Sequence, residues 1–247
     1  MVVTRIAPTP SGFLHAGNIH NFKLIDQYVK EHAGKLILRI DDSDEARVRD
    51  EYLTDIFRVL EELKIKIDEG PTSPEDFKAK YSQSLRLAEY DLAVESLKKK
   101  GLLFACACSR KDIQKQSSDG RYPGTCRDKG LDLEREGLTL RFNSKCAAPI
   151  RVSPQGDQHA SIYNLEDTMG DFVVRKRDGQ ASYQVVSLLE DVRLGVNTII
   201  RGEDLFSSTL AQMAMAKSLG LEDFLKVTFI HHELIRDENG QKLSKST

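Results

Sequence analysis

Strand, tight loop, helix and second strand follow one another within the first forty residues of the 247-residue chain. Residues 2–6 are a β-branched run, and residues 7–12 are rich in Pro, Thr, Ser and Gly. Ile19, Phe22, Leu24, Ile25 and Val29 then recur at helical spacing, and residues 35–40 read as another strand. Two strands joined through a helix lie parallel, and the crossover is right-handed in nearly all such units. The chain therefore starts a parallel α/β sheet, and such sheets collect ligands beyond the carboxyl ends of their strands.

The pattern continues and then breaks. Residues 52–63 are helical, with Ile56, Val59, Leu60 and Leu63 on one face, and residues 81–100 form a longer helix closed by Gly101. Residues 104–182 are rich in Gly, Pro, Ser and charge, with strand candidates only at 138–142 and 172–176. Helix 183–194, strand 198–201, helix 207–219 and strand 227–230 then restore the alternation. The expected architecture is α/β: a doubly wound, Rossmann-like parallel sheet in two halves, 1–103 and 183–247, around an α+β insertion, 104–182.

Composition narrows the class of function. Lys and Arg number 36 against 38 Asp and Glu, a formal charge of −2, so the chain is not a uniformly basic nucleic-acid-binding module. The start has no basic, then apolar leader, and no apolar run approaches the ~18 residues of a membrane span. A cytoplasmic protein without membrane association is expected.

Two segments suit a nucleotide triphosphate. In Arg5-Ile6-Ala7-Pro8-Thr9-Pro10-Ser11-Gly12-Phe13-Leu14-His15-Ala16-Gly17-Asn18, a strand gives way to a loop and then to a helix N-terminus. Unpaired N–H groups there favour anions, an imidazole at His15 can donate to phosphate oxygens, and Gly17 leaves room for a flat ring. At the other end, Lys242-Leu243-Ser244-Lys245-Ser246 puts two cations around a serine, suited to charge building on a triphosphate. Singly, these segments also fit a plain turn with a solvated histidine and a lysine-rich frayed tail.

As a pair, the Leu-His-x-Gly loop and the Lys-Leu-Ser-Lys-Ser segment resemble the paired signatures of class I aminoacyl-tRNA synthetases. The resemblance implies triphosphate contacts from His15, Gly17 and Lys245, with Lys242 assisting, and Mg entering with ATP. Asn18 stands where that family usually has a second histidine, so its role is left open.

Leu38-Arg39-Ile40-Asp41-Asp42-Ser43-Asp44-Glu45-Ala46-Arg47 follows the second strand and, by itself, also suits a solvated acidic turn. It resembles a motif of glutamyl-tRNA synthetases, as do Tyr183-Gln184 and Arg201-Gly202-Glu203-Asp204. The resemblance implies a glutamate pocket in which Arg5 and Arg201 meet the side-chain carboxylate and Asp41 takes the ammonium. Ala7, Thr9 and Tyr183 would line it. Asp41 is one methylene shorter than the family's glutamate.

Three of the four cysteines cluster: Cys106-Ala107-Cys108, then Cys126 four residues after Tyr122. Without an export signal such a group reads as metal or redox chemistry before disulfides, and reduced structural cysteines are the alternative. The spacing resembles the structural zinc site of the short glutamyl-queuosine tRNA(Asp) synthetases, implying zinc on Cys106, Cys108, Tyr122 and Cys126. Cys146 is the substitute if Tyr122 does not serve. That family implies ATP-dependent activation of L-glutamate, transfer to queuosine of tRNA(Asp), a monomer, and no anticodon-binding domain. Glutamate activation for a canonical tRNA, a carrier protein or a small amine is the alternative, and a non-catalytic relative a third. Arg110, Lys111, Lys115, Arg121, Arg127 and Lys129 offer a basic face within the insertion, or a solvated one.

Overall fold

The structure, a computed structural model, describes residues 1–152 and 161–234. Its strands are β1 (Val3–Ile6), β2 (Lys35–Leu38), β3 (Leu103–Cys106), β4 (Thr139–Phe142), β5 (Ile150–Val152), β6 (Ser161–Tyr163), β7 (Val173–Arg175), β8 (Thr198–Gly202) and β9 (Thr228–His232). Its α-helices are α1 (Ala16–Glu31), α2 (Asp50–Glu62), α3 (Pro74–Asp76), α4 (Leu87–Lys99), α5 (Arg110–Gln116), α6 (Leu165–Thr168), α7 (Tyr183–Arg193) and α8 (Phe206–Leu219). They fall into two compact units.

The first unit holds Met1–Arg86, Arg193–Phe206 and the described part of Lys226–Thr247. Strands β1 and β2 pair in parallel from Val3 with Lys35 to Ile6 with Leu38, and α1 makes the crossover. Strands β8 and β9 pair in parallel from Thr198 with Thr228 to Gly202 with His232. Asn197, just before β8, joins the pairs: its N–H donates to Val3 O (3.0 Å) and its side chain accepts from Val3 N (2.9 Å). Phe22, Ile25 and Val29 are the buried stripe of α1, at the spacing one helix face requires. They pack with Ile6, Leu36, Leu38, Ile40, Leu53, Ile56, Leu60 and Ile200. Each fully buried side chain of this size contributes about 1.5–3 kcal/mol.

The second unit holds Leu87–Val192 and Ser207–Leu225. Strands β3, β4 and β7 form an antiparallel sheet, and β5 pairs with β6. Helices α4 and α7 are tied by the buried Tyr90 hydroxyl, which donates to Glu190 Oε1 (2.7 Å).

Several boundaries differ from the periodicity. The helix expected over 81–100 is a 3₁₀ turn at Gln83–Arg86 followed by α4 from Leu87. The cause is long-range: the buried Asp42 carboxylate accepts from Ser82 Oγ (2.6 Å) and Gln83 N (2.8 Å), which holds those residues outside the helix. Strand β3 was not expected; all four of its residues are buried, so it lacks the alternation that marks a half-exposed strand.

Candidate active site and metal centre

The loop after β1 ends in a reciprocal cap. His15 is the N-cap of α1: its Nδ1 accepts from Gly17 N (3.1 Å), while its own N–H donates to Asn18 Oδ1 (3.2 Å). With Nδ1 accepting, a neutral ring carries its proton on Nε2. Asn18 is thereby explained: it returns the hydrogen bond that closes the capping box. Just before this cap, Leu14 N donates to Oδ2 of Asp55 (2.9 Å), a buried acid on α2. Nothing in the pattern of α2 marks Asp55 as different from a solvent-facing acid.

Several buried charges lie at or just beyond the carboxyl ends of the parallel strands. The β1–β2 pairing runs on into the loops, where Arg39 N donates to Ile6 O (2.9 Å) and Asp41 N to Pro8 O (2.8 Å). This sets Asp41 beside the segment bearing Arg5, Ala7 and Thr9; Arg5 is buried, Ala7 half-buried and Thr9 exposed. Asp41 is engaged from two sides, by Arg39 Nε (2.8 Å) and Nη2 (3.0 Å) and by Gln83 Nε2 (2.8 Å). Burial raises the Asp42 pKa, against the lowering effect of its hydrogen bonds from Ser82 and Gln83. Arg39 and Gln83 are partners of Asp41 that the sequence pattern did not single out.

Arg201 stands on β8, buried, with its guanidinium carbon 5.5 Å from the centre of the Phe229 ring. Its register partner on β9 is His231, which Phe206 meets edge-on at 5.2 Å. Burial, and then the positive charge of Arg201 and the neighbouring His232, bring the His231 pKa down to about 4. The residue beside Arg201 is therefore a neutral imidazole at neutral pH.

In the second unit, the Sγ atoms of Cys106, Cys108 and Cys126 all lie within 4.8 Å of one another. Cys108 and Cys126 are 3.6 Å apart, and the Tyr122 hydroxyl is 3.3 Å from Cys106 Sγ and 3.9 Å from Cys108 Sγ. Bonds of ~2.3 Å to thiolates in a tetrahedron require S···S edges near ~3.8 Å, so these donors fit a zinc-sized ion. Burial pushes the Cys108 thiol up to about 11. Burial also raises Cys126, but hydrogen bonding with Tyr122, Ala107 N–H and the other thiols outweighs it and brings Cys126 to about 7. Tyr122 is buried, raised by burial and the neighbouring sulfurs, with the Arg141 guanidinium 4.0 Å over its ring. Cys146 is exposed and outside the cluster, so it does not replace Tyr122 here.

The model of the class I tRNA synthetase catalytic domain for the E and Q enzymes matches residues 1–247. The chain belongs to that family. It is 34% identical to a glutamyl-Q tRNA(Asp) synthetase of Rhodobacter capsulatus, over 99% of this chain and 91% of the relative. It is also 34% identical to one of Dechloromonas aromatica, over 98% and 78%. A glutamate–tRNA ligase of Hydrogenobaculum is 32% identical, but there this chain spans only 52% of the relative. The glutamate-tRNA synthetase structure from Elizabethkingia anophelis superposes with a TM-score of 0.78 at 23% identity, covering 99% of this chain and 52% of that one. The fold is thus the α/β, Rossmann-like catalytic domain of the class I synthetases, and the chain is a ligase of that family.

For this class I synthetase, the residues expected around glutamate divide between the units: Arg5, Ala7, Thr9, Asp41 and Arg201 in the first, Tyr183 in the second. Lys242 and Lys245 lie outside the described residues. The basic face is smaller than its residue count. Arg127 is drawn into a buried ion pair with Asp171 (2.8 Å), and Arg121 pairs with Asp119. Arg110, Lys111, Lys115 and Lys129 remain exposed. Among the described residues no helix is long and apolar enough to cross a membrane.

Proposed function

We propose that this enzyme activates L-glutamate with ATP to glutamyl-adenylate and transfers the glutamyl group to queuosine of tRNA(Asp). The observation that carries this reading is near-full-length identity of 30–34% to several glutamyl-Q tRNA(Asp) synthetases. In the first step an oxygen of the glutamate α-carboxylate attacks the α-phosphorus of ATP, and pyrophosphate leaves. His15 Nε2–H donates to the triphosphate, Gly17 seats the adenine face, and Lys242 and Lys245 stabilise the charge gathering on the leaving group. Mg bound with ATP would offset part of the same charge. In the second step the acyl group passes to the acceptor and AMP leaves.

Arg5 and Arg201 bind the side-chain carboxylate, with Asp41 oriented by Arg39 and Gln83 toward the ammonium and Ala7, Thr9 and Tyr183 around them. Two buried guanidinium groups select glutamate over glutamine, because an amide leaves their charge uncompensated. The fit of the thiol cluster supports a structural zinc on Cys106, Cys108, Cys126 and Tyr122, holding together the loops of an insertion at 104–182 between halves 1–103 and 183–247. The enzyme is a cytoplasmic monomer in this reading.

Glutamate-dependent ATP–pyrophosphate exchange without RNA, then transfer of labelled glutamate to tRNA(Asp) with and without queuosine, tests the proposal. Exchange alone and labelling only of the queuosine form is the expected result. Exchange that requires added tRNA(Glu), with label on that tRNA, supports the second reading, a canonical glutamate–tRNA ligase, which the Hydrogenobaculum relative favours.

A further inference from the structure

The nucleotide loop is held in place from below. Leu14 N–H, the donor one residue before His15, points at Oδ2 of Asp55 (2.9 Å), 41 residues away in sequence. The Asp55 side chain is 6% exposed, and its other oxygen accepts from Arg58, one turn further along α2. Arg58 in turn reaches Glu62. Tyr52, one turn before Asp55 on the same helix, meets the Phe13 ring edge-on at 5.0 Å. Thus α2 holds residues 13 and 14 by two contacts, one apolar and one charged. The next donors are taken locally: His15 N by Asn18 and Gly17 N by the His15 ring.

A carboxylate buried beside a triphosphate site is costly unless it has work to do, since it repels the ligand. Here the Arg58 guanidinium offsets that charge, and the free oxygen is left for one backbone N–H. A charged acceptor on a neutral N–H makes a stronger hydrogen bond than a carbonyl would. It fixes the backbone immediately before His15, and the imidazole direction follows from that backbone.

We infer that Asp55 is a positioning residue for adenylate formation, pinning the Leu14 amide so that His15 meets the triphosphate in the productive geometry. It touches no substrate and acts through the loop. This rests on the ATP-dependent activation proposed above. A displacement of about 1 Å in such a group costs on the order of 100-fold in rate, so Asp55→Ala lowers the exchange kcat per active site about 10- to 100-fold. The KM for ATP does not rise, because removing the carboxylate leaves Arg58 as an added positive charge. Asp55→Asn keeps an oxygen for Leu14 N–H and recovers most of the rate. Arg58→Gln, which spares that acceptor, keeps at least about a third of it.

Exchange kinetics normalised by active-site titration, together with hydrogen exchange at the Leu14 amide, make the test. The expected result is a kcat loss in Asp55→Ala, rescue in Asp55→Asn, and Leu14 protection lost in the first and kept in the second. Unchanged kcat, or equal losses in Asp55→Ala and Arg58→Gln, overturns the assignment and makes Asp55 an ordinary helix ion pair. If Asp55→Ala does not fold, Asp55→Leu, which fills the same space but offers Leu14 N–H no acceptor, takes its place against Asp55→Asn and Arg58→Gln by the same criterion. Absence of exchange in the wild type counts against the proposed activity instead, and Leu14 protection unchanged in Asp55→Ala still refutes the pin.

Discussion

Replacing Asp171 by alanine removes a carboxylate whose side chain is fully buried and whose two oxygens hold two residues through four contacts. Oδ1 accepts from Ser144 N (2.9 Å) and Ser144 Oγ (2.7 Å), and Oδ2 pairs with Arg127 Nε (2.9 Å) and Nη2 (2.8 Å). Arg127 is 12% exposed and follows Cys126, so the pair also anchors the thiol loop. Breaking a buried ion pair from one side costs ~3–5 kcal/mol. Leaving the Ser144 N–H without an acceptor costs a further ~1–3 kcal/mol, partly the same desolvation. A net loss of about 4–6 kcal/mol is expected, a large share of the ~5–15 kcal/mol typical of a folded protein.

Urea unfolding followed by far-ultraviolet circular dichroism measures it. With a slope of ~3 kcal/mol/M the midpoint falls by about 1.3–2 M. Asp171→Asn keeps the Ser144 acceptor but turns an amide toward the guanidinium, so it lies between alanine and wild type. Adding Arg127→Met to Asp171→Ala removes the uncompensated cation and recovers part of the loss. A midpoint shift below about 0.5 M, or strict additivity of the two substitutions, would refute the reasoning.

Elemental analysis of purified protein should find one zinc per chain, lost in Cys126→Ser and retained in Cys146→Ser, whose thiol is exposed and outside the cluster. Metal bound equally by the Cys126→Ser protein would place the ion elsewhere. His231, with its folded pKa near 4, supplies stability that is complete above its unfolded value of ~6.5 and is lost as pH falls through 4. Between those values the unfolded chain binds the extra proton, so acidification from pH 7.5 to 5 should destabilise wild type more than His231→Asn. Equal pH slopes in urea titrations of the two proteins would contradict the assignment.

The parts legible in sequence were those with a local signature. The βαβ opening, the buried stripe of α1 and the placement of His15 at a helix start follow from spacing alone. The thiol cluster was legible from a short spacing as well, since Cys106, Cys108, Tyr122 and Cys126 lie within one loop-rich stretch. What escaped was fixed by partners far along the chain. Gln83 reads as helical, yet Asp41 and Asp42, about forty residues earlier, hold it in a turn. Asp55 and Asp171 read as ordinary surface acids, and only burial reveals them as anchors. Asn18 was a departure from a family pattern until the cap gave it a partner, because His-x-x-Asn is not the usual Ser/Thr-x-x-Glu form of a capping box.

Asn197 holds both backbone groups of Val3 across 194 positions, and this has a consequence for synthesis. At ~5–20 residues per second, a ribosome takes roughly 10–40 s to supply Asn197 after Val3 has been made. During that interval β1 and β2 can pair, but on the other side of β1 the Val3 backbone groups lack the Asn197 partners they have in the fold. An uncovered strand edge of this kind is a template for pairing with another chain. The discontinuous order that joins Val3 to Asn197 thus leaves this edge exposed until residue 197 has been made. Faster elongation, or a chaperone that shields the amino-terminal strands, should raise the yield of native enzyme.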